Sequence, residues 1–572
     1  MATHTTSHYF LEGLNEIGLD YLFCNLGTDH APLIEEMARW RREGLKYPEI
    51  ILCPHETVAM HMAAGYAAMT GRGQGVMVHV DAGTANAAMG MHNLFRSRTP
   101  VLLMAGRTPF SIHGELPGSR DNYVHFIQEP YDQASIVRPY VKWEYNLPSG
   151  VIAKEALRRA HSMMMSDPQG PAYMMLPREV LAATWEDKQI RSFPAERYGP
   201  AKAGGADAQV VEALAAKLLA AEYPVLVTAY AGRNAATPAI LDELARLAGI
   251  RVIEFSPLYM SIPHDSPCFA GFMADPHVAQ ADFGLMVDVD VPWIPKYTQE
   301  KPGSYWAQID VDVVKRDIPM WGFPASERIE ADSSRVLAQL LAAVKQLITP
   351  AQAQAVNARM ATITEEAATR HLSIGHAAAD PGAPGRINPQ FLCAHLNRAI
   401  GQDDVVINEA VRNTFAVFNQ ILRTRPGTLI GLSGGGLGFS GGTALGCKLA
   451  KPDSVVVQIV GDGGFYFCAP ESVLATARQY DLPIFTVVLD NTGWSAVKEA
   501  TLRMYPNGVA KETEQFAAVL APQMQFAKVA EAAGAYGELV EDPAQVEAAI
   551  ARCLAEVRGG RSAVLHARVT PL

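Results

Sequence analysis

The chain has 572 residues, 49% of them hydrophobic and 19% charged, a balance that suits packed globular domains and excludes a disordered chain. Its formal charge is −11, with acids and bases interspersed, so there is no basic footprint for nucleic acid or an anionic membrane. An anionic small molecule is still admitted, because helix termini act locally.

At about 100–200 residues per domain, the length predicts about three to five domains. The seven cysteines are Cys24, Cys53, Cys268, Cys393, Cys447, Cys468 and Cys553, with no C-x-x-C spacing. They predict buried thiols in a reducing compartment. Residues 1–8 lack a basic and apolar leader, and no apolar run reaches the ~18 residues of a membrane helix. A cytoplasmic protein with neither membrane nor nucleic-acid partners is expected.

In chain order, residues 1–184 alternate short apolar runs (Tyr21–Asn25, Ile50–Cys53, Gly75–Val80, Val101–Ala105) with Ala-rich amphipathic ones (Thr57–Thr70, Ala85–Phe95). This pattern predicts a mostly parallel sheet covered on both faces. A polar stretch over 184–205 reads as a linker. A second α/β unit covers 206–348, with helices over Ala208–Ala221, Pro238–Ala248 and Ser333–Leu347 and a strand over Pro224–Thr228. Residues 349–385 connect it onward, starting helical and polar. The connection ends in Ala-Asp-Pro-Gly-Ala-Pro-Gly-Arg, whose prolines and glycines argue against a regular element. The third unit, 386–572, has strands over Val405–Asn408, Ser454–Val460, Ile484–Asp490 and Ala563–Val569. The fold class is therefore α/β, with three successive parallel-sheet domains: 1–184, 206–348 and 386–572.

The strongest chemical signal lies in the third unit. One apolar strand ends in Gly461-Asp462-Gly463-Gly464, and after the helix Pro470–Tyr480 a second strand ends in Asp490-Asn491-Thr492-Gly493. Two parallel strands thus deliver hard oxygen ligands at their C-terminal ends, where open α/β sheets bind ligands. A carboxylate (Asp462), an amide oxygen (Asn491) and a loop carbonyl (Gly493) suit Mg²⁺ that also holds diphosphate oxygens. Gly463 and Gly464 would let backbone approach a diphosphate. The plainer alternative is two ordinary turns.

This spacing resembles the thiamine-diphosphate signature, although the 27 residues between Gly463 and Asn491 are slightly more than usual. Four further segments resemble the same family: His55-Glu56 at the start of an Ala/Gly-rich helix, Gly83-Thr84-Ala85-Asn86, Phe126-Ile-Gln128-Glu129, and Ser433-Gly-Gly-Gly-Leu437-Gly-Phe439. Together they span most of the chain. They identify it as similar to the pyruvate decarboxylase, acetolactate synthase and benzoylformate decarboxylase group, with segments closest to the last. The resemblance implies a pyrimidine-binding first domain, a middle domain and a diphosphate-binding third domain.

It further implies thiamine diphosphate and Mg²⁺ as cofactors, with Glu56 contacting the aminopyrimidine. Leu437 would be the apolar wedge that bends the cofactor, and Gly435 and Asn413 would lie near it. The alternatives are a helix N-terminal acid for Glu56, a core leucine for Leu437 and a helix N-cap for Asn413. His79 resembles a proton-transfer histidine. Thr28, Asp29 and His30 stand where this group places substrate-contacting residues, His113 and Gln128 align loosely with pocket residues, His264 lies two residues before the place of a second active-site histidine, and Trp494 follows the metal loop; helix capping or core packing are the alternative readings. The chain departs from the family in having Ser266 where a second active-site histidine is found, Gly442 where proline is common, and Phe465 after the metal turn. These departures predict an unusual pocket.

The function implied is non-oxidative cleavage of a 2-oxo acid to an aldehyde and CO₂. Carboligation of the acetolactate synthase type and 2-hydroxyacyl-CoA cleavage use the same cofactor chemistry and stay open. A non-catalytic, cofactor-binding regulatory homologue is the rival of another class. No Gly-rich dinucleotide fingerprint marks the middle unit, so redox flavin chemistry is not expected, while a structural flavin is left open. The resemblance also implies a homodimer or homotetramer with active sites between subunits, acting on a 2-oxo acid or aldehyde.

Overall fold

The computed structural model describes residues 2–521 and 523–571. Met1 and Leu572, which bound the outer domains read from the sequence, and Pro522 lie outside the described residues. Three six-stranded sheets follow one another along the chain, and every strand pair within them is parallel.

The first sheet consists of β1 (Tyr21–Asn25), β2 (Glu49–Leu52), β3 (Gln74–Val78), β4 (Val101–Arg107), β5 (Trp143–Asn146) and β6 (Ala172–Pro177), ordered β2-β1-β3-β4-β6-β5. All five residues of β3 are buried, as expected of a central strand covered on both faces. A short antiparallel pair, Thr3–Thr5 with Thr184–Glu186, carries the first domain past the boundary read at 184. Three helices matter to the site: α1 (Glu56–Thr70), α2 (Ala82–Arg96) and the one-turn α3 (Val124–Ile127).

The middle sheet contains β7 (Pro224–Thr228), β8 (Arg251–Glu254), β9 (Phe269–Gly271), β10 (Phe283–Val287), β11 (Tyr305–Asp310) and β12 (Glu327–Glu330), ordered β9-β8-β7-β10-β11-β12. This is the doubly wound order of dinucleotide-binding sheets, whose crevice opens between β7 and β10. Here that region carries a buried charge network. Arg98 of the first domain donates to Asp310 at 2.6 Å and Asp290 at 3.0 Å, and Lys315 donates to the same two carboxylates at 2.6 and 2.8 Å.

The connection to the third domain is a 30-residue helix, α4 (Pro350–Ala379). Contrary to the sequence reading, the Pro/Gly-rich stretch after it does make a regular element. Gly382–Ala383 pairs with Arg386–Ile387 in a minimal hairpin, and Gly382 and Gly385 take the positive φ values, 78° and 73°, that such a tight reversal requires.

The third sheet contains β13 (Val405–Glu409), β14 (Leu429–Ile430), β15 (Val456–Gly461), β16 (Phe485–Asp490), β17 (Tyr536–Val540) and β18 (Ala563–Arg568), ordered β14-β13-β15-β16-β18-β17. Its order repeats that of the first sheet strand for strand. Its helices include α5 (Phe439–Ala450), α6 (Asp462–Phe467) and α7 (Ser495–Met504).

Helix α1 is apolar nearly all round, and every residue from Glu56 to Ala67 is buried. Such a helix must be enclosed by protein, and α5 of the third domain covers it. Small residues set their approach. A Cβ on Gly65 would fall 2.2 Å from the Thr443 carbonyl oxygen, and one on Gly446 would fall 2.0 Å from that of Met62. Gly442, the family departure, has the same cause, since its Cβ would fall 2.8 Å from His61 Cβ.

Candidate active site

At the C-terminal ends of β15 and β16 the sequence delivers Asp462 and Asn491 side by side. Asp462 opens the short helix α6, which precedes the expected helix at Pro470–Gln479. With its amide oxygen turned inward, Asn491 sits 3.2 Å from Asp462 Oδ1 and 2.8 Å from the Gly493 carbonyl, and its nitrogen faces Ser495 Oγ at 2.9 Å. With the amide reversed, its N–H groups donate to the same two oxygens. The first arrangement gathers three oxygens about 3 Å apart, the cis edge of an octahedron with ~2.1 Å metal bonds. A hard cation satisfies it, so the donor set fits Mg²⁺.

Burial, reinforced by the neighbouring Asp490 carboxylate, pushes the Asp462 carboxyl up to about 7. Asp490 itself is held from behind by His566 at 2.7 Å and by Arg568. Thr492, between the two loop ligands, adopts φ 68°, a conformation costly for a β-branched residue.

The glycines beside Asp462 have a different reason from the one expected. A Cβ on Gly463 would lie 2.8 Å from the Trp494 ring, and one on Gly464 would lie 2.9 Å from Val460. Packing inside the domain therefore already demands glycine at both positions. Phe465 is likewise a core residue, 2% exposed and edge-on to Phe526 at 5.3 Å, and does not shape the pocket.

Asn413 stands at a helix N-cap position but makes no capping bond, and its buried Nδ2 has no hydrogen-bond partner. It shares a cavity of about 470 Å³ with Asn491, Ser495, Lys498, Arg412 and Gln390, and every residue lining it belongs to the third domain or its C-terminal end. Such an unpartnered amide beside a cation site fits a diphosphate oxygen. Leu437 is half-buried in the loop 433–438, which is pinned at both ends. Asn93 of α2 pairs with the Gly436 backbone at 3.0 and 3.1 Å, while Glu409 accepts the Gly438 N–H. Gly435 is exposed, with open space around its Cβ direction. Glu409 is fully enclosed, and burial raises its carboxyl to about 7.

In the first domain, Glu56 is the first residue of α1, as the helix-terminus alternative also requires. It is 8% exposed and accepts a hydrogen bond from Asn86 Nδ2 at 3.1 Å. Gly83 brings it beside His79, because a Cβ at position 83 would meet His79 Cβ at 3.3 Å and Glu56 Oε1 at 3.5 Å. His79 follows the last residue of β3, with Nδ1 2.5 Å from Asp29 Oδ1 and Nε2 2.9 Å from Gln128 Oε1. The hydrogen bond that His79 donates to Asp29 raises the His79 pKa against the opposing effect of burial.

Several expected pocket residues are placed differently. Asp29 and His30 are 1% and 0% exposed: Asp29 bonds the His79 ring, and His30 Nδ1 accepts the Gly27 N–H at 3.1 Å. Neither caps the following helix. Thr28 meets His125 Nε2 at 3.3 Å. His113 is exposed in the loop before α3, its backbone N–H bound to Glu115 at 2.7 Å, and is not joined to His79. His264 is an interior residue with both ring nitrogens committed, to Glu254 at 2.9 Å and the Arg423 N–H at 3.1 Å. It belongs to the seam between middle and third domains, because Glu254 lies in the one and Arg423 in the other, and its ring stacks on Phe269 at 4.5 Å. Trp494 covers Gly463 and remains partly exposed. Sequence reasoning gave no role to Asn86, His125, Glu409 or Lys498. Only Asn86 lay in a segment quoted for resemblance by that residue; the others needed the fold to bring them in.

Comparison with known proteins adds a common description to this geometry. Residues 4–136 match the model of the thiamine pyrophosphate enzyme N-terminal TPP binding domain, and residues 413–567 match that of the C-terminal TPP binding domain. Benzoylformate decarboxylase of Pseudomonas aeruginosa is 25% identical over 86% of this chain and 87% of that protein. The acetolactate synthase isozyme 3 large subunit of Escherichia coli is 25% identical over 89% of this chain and 86% of its own length. Among solved structures, a thiamine diphosphate-dependent 4-hydroxybenzoylformate decarboxylase of Rhodococcus jostii RHA1 superposes with a TM-score of 0.78 at 21% identity, covering 100% of this chain and 99% of the other.

Proposed function

The chain belongs to the thiamine pyrophosphate enzymes, and from that premise we propose that it cleaves a 2-oxo acid without oxidation, releasing CO₂ and an aldehyde. It is a thiamine-diphosphate-dependent enzyme; the open matter is which reaction of the family it performs. The observation that carries decarboxylation is the meeting of Glu56 and His79 around Gly83, which puts a proton source beside the carboxylate expected to activate the cofactor. Bound cofactor supplies a nucleophilic carbon and a sink for the electron pair left by CO₂.

The chain's own residues do the rest. Asp462, Asn491 and the Gly493 carbonyl would hold Mg²⁺ against the diphosphate, with the Asn413 amide beside it. Leu437 would support the bend between the two cofactor rings. Glu56, steadied by Asn86, would share a proton with the pyrimidine, and His79 would deliver one to the product carbon.

We propose further that the site forms between two copies of the chain. The cavity at Asn491 has no first-domain residue in its lining, and among the described residues no hydrogen bond joins Glu56, His79 or Asp29 to Asp462 or Asn491. Each half is bordered by exposed apolar side chains, Phe110, Tyr123 and Phe126 on one and Phe415, Trp494 and Val497 on the other, which suits burial against a partner. A dimer, or a tetramer of two such dimers, acting in the cytoplasm follows; seven free buried thiols are in keeping with that compartment.

Carboligation of the acetolactate synthase type is the second reading, favoured by Ser266 standing where the family's second histidine is found and by the commitment of both His264 ring nitrogens to Glu254 and Arg423. A screen of 2-oxo acids with and without an acceptor aldehyde, products read by mass, separates them. Aldehyde and CO₂ are expected without acceptor; a ketol as sole product would overturn decarboxylation. Failure to bind thiamine diphosphate in calorimetry would point to a non-catalytic homologue.

A further inference from the structure

We propose that Asp29 is a positioning residue which, together with Gln128, holds the His79 ring doubly protonated, as an acid on the Glu56 side of the first-domain pocket. The proposal rests on the decarboxylase reading for its use, but its geometry stands by itself.

Asp29 lies in the loop after β1 and is 1% exposed. One carboxylate oxygen meets His79 Nδ1 at 2.5 Å, and the other accepts the Val80 N–H at 3.2 Å. Two glycines leave room for this pair. A Cβ on Gly106 would fall 1.1 Å from Asp29 Oδ2, and one on Gly27 would fall 1.8 Å from His79 Nδ1. The backbone of β4 and of the loop after β1 is thus fitted around the carboxylate and the ring, which a chance surface contact would not require. On the other side of the ring, Nε2 faces Gln128 Oε1 at 2.9 Å.

Asp29 can only accept, and Gln128 as placed presents its amide oxygen, also an acceptor. A neutral imidazole has one donor and one acceptor nitrogen, so it can satisfy one of these contacts but not both; the imidazolium satisfies both. The charged groups around the ring agree. Asp29 and Glu56 both favour the cation. His30, which as a cation would oppose it, is kept below its ordinary value by burial. Burial by itself would raise the Asp29 carboxyl, but the His79 hydrogen bond, followed by the neighbouring His30 and His79 rings, outweighs it and leaves it below the ordinary value.

The His79 side chain keeps 22% exposure, so the Nε2 edge is open to substrate once Gln128 yields its contact. In the step inferred, the Nε2–H bond breaks and a C–H bond forms at the product carbonyl carbon. The N–H electron pair stays on the ring, which becomes neutral while Nδ1–H remains on Asp29. A proton from water restores the starting state.

The test needs no knowledge of the substrate. Diethylpyrocarbonate acylates neutral imidazole, so its rate at the His79 peptide, followed by mass against pH in the thiamine-diphosphate- and Mg²⁺-loaded protein, reports the protonation of that ring. The expected midpoint lies above the ordinary ~6.5 of a free imidazole, and moves down toward it in Asp29→Asn and part of the way in Gln128→Leu. A wild-type midpoint at or below 6.5, or an unmoved one in a folded Asp29→Asn variant, would overturn the proposal. Should Asp29→Asn not fold, an unmoved midpoint in Gln128→Leu does so. The product screen decides the reaction separately, so either result can fail without the other.

Discussion

The first and third domains fold six parallel strands in the same order, and each offers the C-terminal ends of its central strands to a ligand. What they place there differs. The first domain presents titratable groups, Glu56, His79 and Asp29; the third gathers oxygens whose chemistry suits a cation, those of Asp462, Asn491 and the Gly493 carbonyl. One topology thus supports two chemistries, because strand-end loops, not the sheet, carry the site. The domains also differ in how their site residues are joined. In the third domain a strand-end pair converges through adjacent loops, whereas in the first Asp29, His79 and Gln128 come from three separate segments.

The comparison can be broken most sharply at Glu56. Glu56→Gln should retain fold and cofactor affinity but lose about 10²–10⁴-fold in turnover, the usual range for a general acid–base group; full activity would remove proton chemistry from the first domain. Asp462→Ala should do the converse, weakening thiamine-diphosphate binding in the presence of Mg²⁺ by about 10–100-fold or more in calorimetry. The same site should depend on pH. With the Asp462 carboxyl raised to about 7, Mg²⁺ must displace a proton below that value, so affinity should drop about tenfold per pH unit there and level off above it. For the metal-free protein the sign is opposite. A raised carboxyl binds more protons folded than unfolded, so this group's contribution to stability declines as pH rises from about 4 to about 7.

The packing that holds the two domains together gives a smaller effect. Gly446→Ala, which would set a Cβ 2.0 Å from the Met62 carbonyl oxygen, should cost about 1–3 kcal/mol or more of stability in urea unfolding. Gly435→Ala, with nothing near its Cβ direction, should be close to neutral. Last, co-expressed Glu56→Gln and Asp462→Ala chains should recover about a quarter of wild-type activity if each site takes its first domain from one copy and its third from the other. Half of random dimers are mixed, and one of two sites in each is intact. No recovery in mass-verified mixed dimers would place both residues in one chain's site.

The sequence alone carried the plan of three parallel α/β sheets and the juxtaposition of Asp462 with Asn491, for a physical reason. Apolar runs bounded by turn residues mark strands locally, and two strand ends separated by one helix bring Asp462 and Asn491 together by topology alone. Glu56 was legible for the same reason, as a carboxylate at the junction of a strand and an apolar helix. Tertiary structure decided what local spacing does not encode. Asp29 and His79 are 50 residues apart, and only the adjacency of β1 and β3 turns one into the partner of the other. Burial placed His264, His30 and Phe465 in the interior and put Asp29 behind the His79 ring, and packing gave Gly442, Gly463 and Gly464 steric reasons that no motif states. A residue's role depends on which atoms surround it, and those come mostly from distant segments.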